Sequence, residues 1–232
     1  MQNLSIVTWL WKGNRPYKPE HVSVLAAMFR RNLTLAHRFI CITDMEGDFG
    51  EGVEVKAMPE AARALGEYRT PEAPGFPSCY RRLWMFSDEA RCLGERVMLV
   101  DVDMVLTGNI DHLLERSAPF VGWMPRQTWG HGPRLGGGMY LMTTGSHTEV
   151  FDGFRGHESI IEAREAGFRG SDQAWISHKL CGDVDLWPHS AGIYSIRDLR
   201  HGRLPDDARL VQFNGRVKPW ESTLPWVKEH WR

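Results

Sequence analysis

Residues 96–114 read Arg-Val-Met-Leu-Val-Asp-Val-Asp-Met-Val-Leu-Thr-Gly-Asn-Ile-Asp-His-Leu-Leu. Four apolar residues after Arg96 predict a buried strand, and the strand runs into Asp101 and Asp103 with one valine between them. In an extended chain, positions i and i+2 point the same way, so the pattern places both carboxylates on one face and Val102 on the other. In an open parallel sheet, ligands bind beyond the carboxyl ends of the strands. Two carboxylates there suit a hard divalent cation, which prefers oxygen ligands and is often completed by substrate phosphates. The plain alternative is a pair of solvated acids capping the following turn.

Upstream, residues 5–11 form a β-branched and apolar run that predicts the first strand. Pro19 opens a helix whose apolar stripe is Val22, Leu25, Ala26 and Phe29. Strands follow at 38–43 and 53–57, and strand, helix, strand at this spacing predicts an α/β fold with a mostly parallel central sheet flanked by helices. Residues 66–77 hold three prolines and two glycines and read as a long loop. A helix is expected from Ser78, with Leu83, Phe86, Ala90 and Leu93 on one side and Gly94 at its end. Downstream, strands are expected at 120–123, 138–143 and 208–213, and helices at 110–116, 171–180 and 224–231. No repeat or linker divides the chain, so one domain over 1–232 is the simplest organisation, with 221–232 as a closing helix.

Composition narrows the function. A chain of 232 residues, 42% hydrophobic, buries a core without disulfides, and a formal net charge of −1 argues against a nucleic-acid partner. Cys41, Cys79, Cys92 and Cys181 have no ligand-like spacing and read as thiols of a reducing compartment. Residues 1–5 lack the start of a signal peptide, and no apolar run approaches the roughly 18 residues that span a bilayer. A cytoplasmic protein is expected. The segment 224–232 mixes Trp226, Val227 and Trp231 with Lys228 and Arg232, which suits peripheral contact with a membrane surface as well as a packed helix.

Two chemistries use such acids. An aspartyl phosphatase of the haloacid dehalogenase type has an apolar strand followed by DxDx(T/V), which Asp101 to Val105 satisfies. That motif normally opens its domain, whereas 100 residues precede Asp101. It also needs a later lysine and acidic pair, for which Lys179 with Asp183 and Asp185, or with Asp206 and Asp207, are the candidates. The other chemistry is glycosyl transfer from a metal-bound nucleotide diphosphate. Five segments occur in order: YRRLWMF (80–86), VMLVDVDMVLTGNID (97–111), GGGMYLMTTGS (136–146), GSDQAWIS (170–177) and VQFNGRVKPW (211–220). Together they resemble glycosyltransferase family eight, the glycogenin and bacterial galactosyltransferase group with a single-domain, Rossmann-like GT-A fold. The resemblance covers residues 5–220, and its most specific part is the last segment, similar to the family's HFxGxxKPW.

The resemblance implies roles residue by residue. Asp103 looks like the metal ligand, with Asp101 shared between the metal and the donor's ribose or sugar, and the cation would be Mn²⁺ or Mg²⁺. Val102 would present its backbone to the ribose. Thr8 and Tyr17 look like base and ribose contacts, although Tyr17 also reads as a surface tyrosine. Arg82 looks like a contact to the donor sugar or phosphate, with a solvated arginine as the rival. Gly215 and Lys218 look like the diphosphate cradle, with a rigid turn as the alternative. Asp172 and Gln173 would lie beside the anomeric carbon, although Ser171 and Asp172 also suit a helix start.

Two departures stand out. The family's metal-binding histidine is Gln212, which strand alternation places on one face with Asn214. The family's Asn-Ser-Gly is Gly136-Gly137-Gly138, which removes side chains that usually meet the sugar. The implied activity is transfer of a hexose from a UDP-sugar to an acceptor hydroxyl with retention, by front-face attack or by double displacement through Asp172. A nucleotide-sugar-binding protein without catalysis is the alternative of another class. The acceptor, whether glycan, lipid, protein or small molecule, is left open.

Overall fold

The computed structural model describes residues 4–13, 17–71, 74, 78–126, 135–180, 182 and 184–232. Asn14, Arg15, Pro16, Cys181, Asp183 and part of the 66–77 loop lie outside them. Seven strands form the main sheet: β1 (Leu4–Leu10), β2 (Arg38–Thr43), β3 (Val53–Ala57), β4 (Arg96–Val100), β6 (Phe120–Gly122), β7 (Met139–Thr143) and β8 (Asp185–Leu186). A smaller sheet holds β5 (Met104–Leu106), β9 (Ile193–Ser195) and β10 (Leu210–Gln212). The main order is β3-β2-β1-β4-β7-β6-β8, and β7 alone runs against the other strands. The chain lays β2 and β3 on one side of β1 and then crosses to place β4 on the other. That reversal opens a crevice at the carboxyl ends of β1 and β4.

The central strands β1 and β4 are buried on both faces, and strand alternation sorts the side chains here and in β2. Ile6 and Leu10 of β1, Phe39 and Cys41 of β2, and Met98 and Val100 of β4 join one core. Val7 and Trp9, Ile40 and Ile42, and Val97 and Leu99 join the other. Helix α1 (Pro19–Asn32) covers the first face with Val22, Leu25, Ala26 and Phe29, all at most 1% exposed. Burying each larger side chain contributes about 1.5–3 kcal/mol. The small sheet shares that core through Val105, Ile193 and Leu210, as does α7 (Pro225–His230) through Val227.

The second face carries α2 (Glu60–Leu65), α4 (Glu149–Asp152), α5 (His157–Glu165) and α6 (Asp172–Leu180). A short α3 (Asp111–Leu114) follows β5. The helix expected from Ser78 is instead two 3₁₀ runs, Cys79–Phe86 and Asp88–Leu93, broken at Ser87. The Ser78 hydroxyl caps the first run by accepting from the Tyr80 amide. The tighter coil aligns Tyr80, Leu83 and Phe86 every third residue. All three are buried, as are Arg82, Trp84 and Met85 between them.

Candidate functional site

β4 ends at Val100, and Asp101-Val102-Asp103 is a turn rather than a strand continuation. It carries the chain out of the seven-stranded sheet and into β5 of the smaller one. The shared face predicted from alternation is therefore not what brings the two acids together. Each is pinned to a different sheet. The Asp101 amide donates to the Gly138 carbonyl at 2.8 Å, beside β7, and the Asp103 carbonyl accepts from the Phe213 amide at 2.9 Å, beside β10.

Two buried cations meet these acids. Arg82, 5% exposed at its side chain, donates through Nε and Nη2 to the two oxygens of Asp172 at 2.8 and 3.0 Å. Its Nη1 donates to Asp101 Oδ1. The solvated arginine considered from sequence is overturned: an apolar 3₁₀ run surrounds Arg82 and points it inward. Burial by itself would lower this guanidinium, but the Asp172 and Asp101 carboxylates outweigh it and hold Arg82 well above its ordinary range. Asp172, at the first position of α6, is fully buried, and it accepts a further bond from the Ser171 hydroxyl at 2.8 Å.

Lys218 plays the matching part on the other acid. Its ammonium donates to Asp103 Oδ2 and, at 2.9 Å, to the Phe213 carbonyl. Tyr17 donates its hydroxyl to the same Asp103 oxygen at 2.9 Å, so it is not simply a surface tyrosine. The Lys218 ammonium stands 5.7 Å from the Tyr17 ring centre. Residues 219–221 do form the rigid turn considered from sequence, with Trp220 packed on Tyr17, and Lys218 is buried at its start. Burial pushes the Asp101 carboxyl up to about 6. Arg82 opposes the shift, Asp103 and Asp172 add to it, and Lys218 opposes it. The Asp101 side chain is nonetheless 41% exposed, so an incoming ligand can reach it.

Gly138 lies where two of the expected ligands meet the backbone. A Cβ on this residue would stand 2.8 Å from Asp101 Oδ2 and 3.0 Å from Gln212 Oε1. Only a glycine lets both side chains pack this closely, with Gln212 5% exposed and its Nε2 without a partner. The donor set of Asp101, Asp103 and Gln212 is all oxygen and fits a hard cation completed by substrate oxygens. It is not an all-protein cage: among the described residues, no group of three His, Cys, Asp or Glu side chains converges. Asn214 does not share this face. β10 stops at Gln212, and Asn214 is exposed, accepting from the Ser195 hydroxyl at 2.8 Å.

The three glycines do not leave empty space, as their sequence implied. A Cβ on Gly136 would strike the Trp123 ring at 2.4 Å, and one on Gly137 would strike Gln173 Oε1 at 2.5 Å. None of the three has a positive φ, so the reason for glycine is close approach of neighbouring side chains. Gln173 is thereby brought near Arg82, whose Nη2 is 3.4 Å from the same Gly137 point.

Thr8 lies inside β1, fully buried, with an unpartnered hydroxyl. The Val102 side chain packs into the core. At Gly215 a Cβ would meet only Ile196, at 3.8 Å, so its backbone is open from outside. Sequence reasoning missed Trp11, Asp44 and Arg81, just past β1, just past β2 and beside Arg82. The Arg81 guanidinium stands 5.5 Å from the Trp11 ring centre, and Asp44 accepts from the Lys12 amide at 3.1 Å. Only their places after predicted strands could have marked them.

A doubly covered, mostly parallel sheet with an acid-bearing turn at its switch point defines the GT-A class of fold. Among the solved structures that share it are two of one protein. One is the galactosyltransferase LgtC in complex with donor and acceptor sugar analogues, with a TM-score of 0.65 at 12% identity over 94% of this chain and 90% of that one. The other is an active-site mutant of LgtC, with a TM-score of 0.66 at 11% identity over 97% and 93%. Identities this low establish likeness of fold alone. No protein-family model matches the chain, and no curated protein matches it in sequence.

Proposed function

We propose that this protein is a glycosyltransferase that moves a hexose from a UDP-sugar to an acceptor hydroxyl with retention, assisted by Mn²⁺ or Mg²⁺. The observation that carries the proposal is the turn 101–103, with Arg82 and Lys218 buried against its two acids and Asp101 and Gln212 both packed on Gly138. Fold likeness to a galactosyltransferase that binds donor and acceptor sugar analogues supports it. The GT-A fold, together with the Arg82 contact that occupies an oxygen of Asp101, speaks against the phosphatase alternative, in which Asp101 must attack.

The charge balance supports a role for a cation. Asp101, Asp103 and Asp172 against Arg82 and Lys218 leave one negative charge uncompensated, so a diphosphate alone is repelled. A bound divalent cation supplies Lewis-acid neutralisation of the leaving diphosphate. Asp101 and Asp103 would hold it, with the Gln212 amide oxygen beside them. Lys218, next to the open Gly215 backbone, neutralises departing charge from the other side. Arg82 and Gln173 orient the sugar. With both oxygens engaged by Arg82, Asp172 is poorly placed to attack as a nucleophile, which favours front-face attack by the acceptor hydroxyl. The diphosphate takes that proton. Asp172 then acts by fixing Arg82.

Release of UDP from a panel of UDP-sugars, with Mn²⁺, with Mg²⁺ and with chelator, tests the proposal. Metal-dependent release from one donor is expected. Binding of UDP without release from any donor would favour the non-catalytic alternative, and no UDP binding would overturn the donor site. Among the described residues, no helix is long and apolar enough to cross a membrane.

A further inference from the structure

Two segments distant in sequence deliver Tyr17 and Lys218 to the same oxygen of Asp103, and His21 packs between their backbones' anchoring points. His21 occupies the third position of α1 and is 7% exposed. Its Nδ1 accepts the Lys18 backbone amide at 3.1 Å, closing the helix start directly after Tyr17. Its ring lies flat on Trp220, with centroids 3.7 Å apart and planes 8° from parallel. Trp220 follows Lys218 by two residues and also meets the Tyr17 ring edge-on at 5.3 Å. We propose that His21 is a positioning residue of the donor site, a clasp whose acceptor nitrogen fixes the Tyr17 segment and whose ring fixes the Lys218 segment.

The inference rests on the donor-site reading above and adds to it a residue that touches neither donor nor metal ligand. The two ends of the clasp use different properties of the imidazole. The Nδ1 lone pair is available only in the neutral ring protonated at Nε2. Burial lowers His21 below the ordinary histidine range. Glu20 opposes that shift, Lys18 adds to it and Glu221 opposes it. Among the described residues, those three are the charged groups that act on the ring, from the start of α1 and from the 219–221 turn. The neutral form that the clasp needs is therefore the form present at neutral pH.

His21→Phe keeps a ring on Trp220 without the acceptor, and His21→Asn keeps an acceptor without the ring. Both variants are compared with wild type by calorimetric titration with UDP in Mn²⁺ and by amide exchange, with melting temperature as the folding control. Each variant should weaken UDP binding about threefold to tenfold and raise KM for the donor more than it lowers kcat. Each should also speed exchange in 17–21 and in 215–221 together. Wild type should lose UDP affinity on acidification with a component that His21→Phe lacks. Unchanged UDP affinity, with faster exchange confined to the start of α1, overturns the clasp and leaves an ordinary helix cap. If wild type itself binds no UDP, the donor-site reading falls and the positioning role with it. The exchange data separate the two failures, since they read the coupling of the segments without any ligand.

Discussion

Lys218→Met is the most demanding test of the site, because it should move two measurements in opposite directions. The ammonium is 7% exposed at its side chain and Asp103 is 10% exposed, so the pair is screened little by solvent. Two unit charges about 4 Å apart interact by about 4 kcal/mol at the effective dielectric of such a place. A cation arriving alone must displace this ammonium or sit against it, so wild type should bind free Mn²⁺ poorly. In Lys218→Met, Asp103 is released, and Mn²⁺ alone should bind at least about tenfold more tightly. Turnover should go the other way. A preorganised group that meets developing charge is worth about 10²–10³ in kcat, and Lys218 is the one the proposed mechanism assigns to the diphosphate. Removing one partner of a buried pair also destabilises, here by about 3 kcal/mol, the low end of the range, because Tyr17 still donates to Asp103. Electron paramagnetic resonance of free Mn²⁺ gives the first quantity and UDP release the second, on protein shown to be folded by its melting curve. A variant with unaltered Mn²⁺ affinity, or with kcat within tenfold of wild type, would refute the assignment of Lys218.

Arg82→Lys should lower kcat/KM by more than about 10²-fold, since a point charge cannot reproduce the two-pronged grip on Asp172 together with the bond to Asp101. Its melting temperature should also fall, because Asp172 is fully buried and left underpaired. Gly138→Ala places a methyl 2.8 Å from Asp101 Oδ2, so Mn²⁺-dependent UDP affinity should drop about tenfold while the melting temperature moves little, the clash being with side-chain ends. For pH, Asp101 is raised to about 6 when folded, above its unfolded value, so the folded state binds the extra proton. Metal-free protein should therefore gain stability as pH falls through 6 toward the unfolded carboxylate range, while donor binding is lost over the same interval. Melting temperatures at pH 5 and 7 in chelator, for wild type and Asp101→Asn, check this, and the contribution should vanish in the variant.

How far the sequence revealed this site depends on which contacts are local. β4 was readable because it is buried on both faces and ends in acids, and Val97 to Val100 alternate between the two cores as an extended strand must. The acids were placed at the right strand end for an incomplete reason. Alternation needs the chain to stay extended, whereas 101–103 turns so that β4 and β5 can join different sheets. α5 was missed because its stripe is thin: Ile160 and Ala163 are buried, while Ile161 is 55% exposed. Arg82 was ambiguous because its partner Asp172 lies 90 residues away, and no local pattern reports such a pairing.

The glycines show the same limit from the other side. In sequence, Gly136-Gly137-Gly138 is an absence of side chains and implies an emptied sugar pocket. In the fold, Trp123 and Gln173 occupy the places that side chains at 136 and 137 would take. The motif this segment resembles has glycine at 138 as well, so of the residues meeting here only Gln212 departs from it, and Gly138 lets that amide and Asp101 both approach the backbone. An amide oxygen is a weaker ligand than imidazole for a metal such as Mn²⁺, and it must be brought close and kept dry to contribute. Only glycine at 138 leaves room for Gln212 and Asp101 to pack there together. It follows that Gln212→His should not by itself strengthen Mn²⁺ binding, because the ring is wider than the amide and Asp101 already packs on Gly138. If Gln212→His tightens Mn²⁺ binding with UDP present, the two positions are independent and the coupling argued here is wrong.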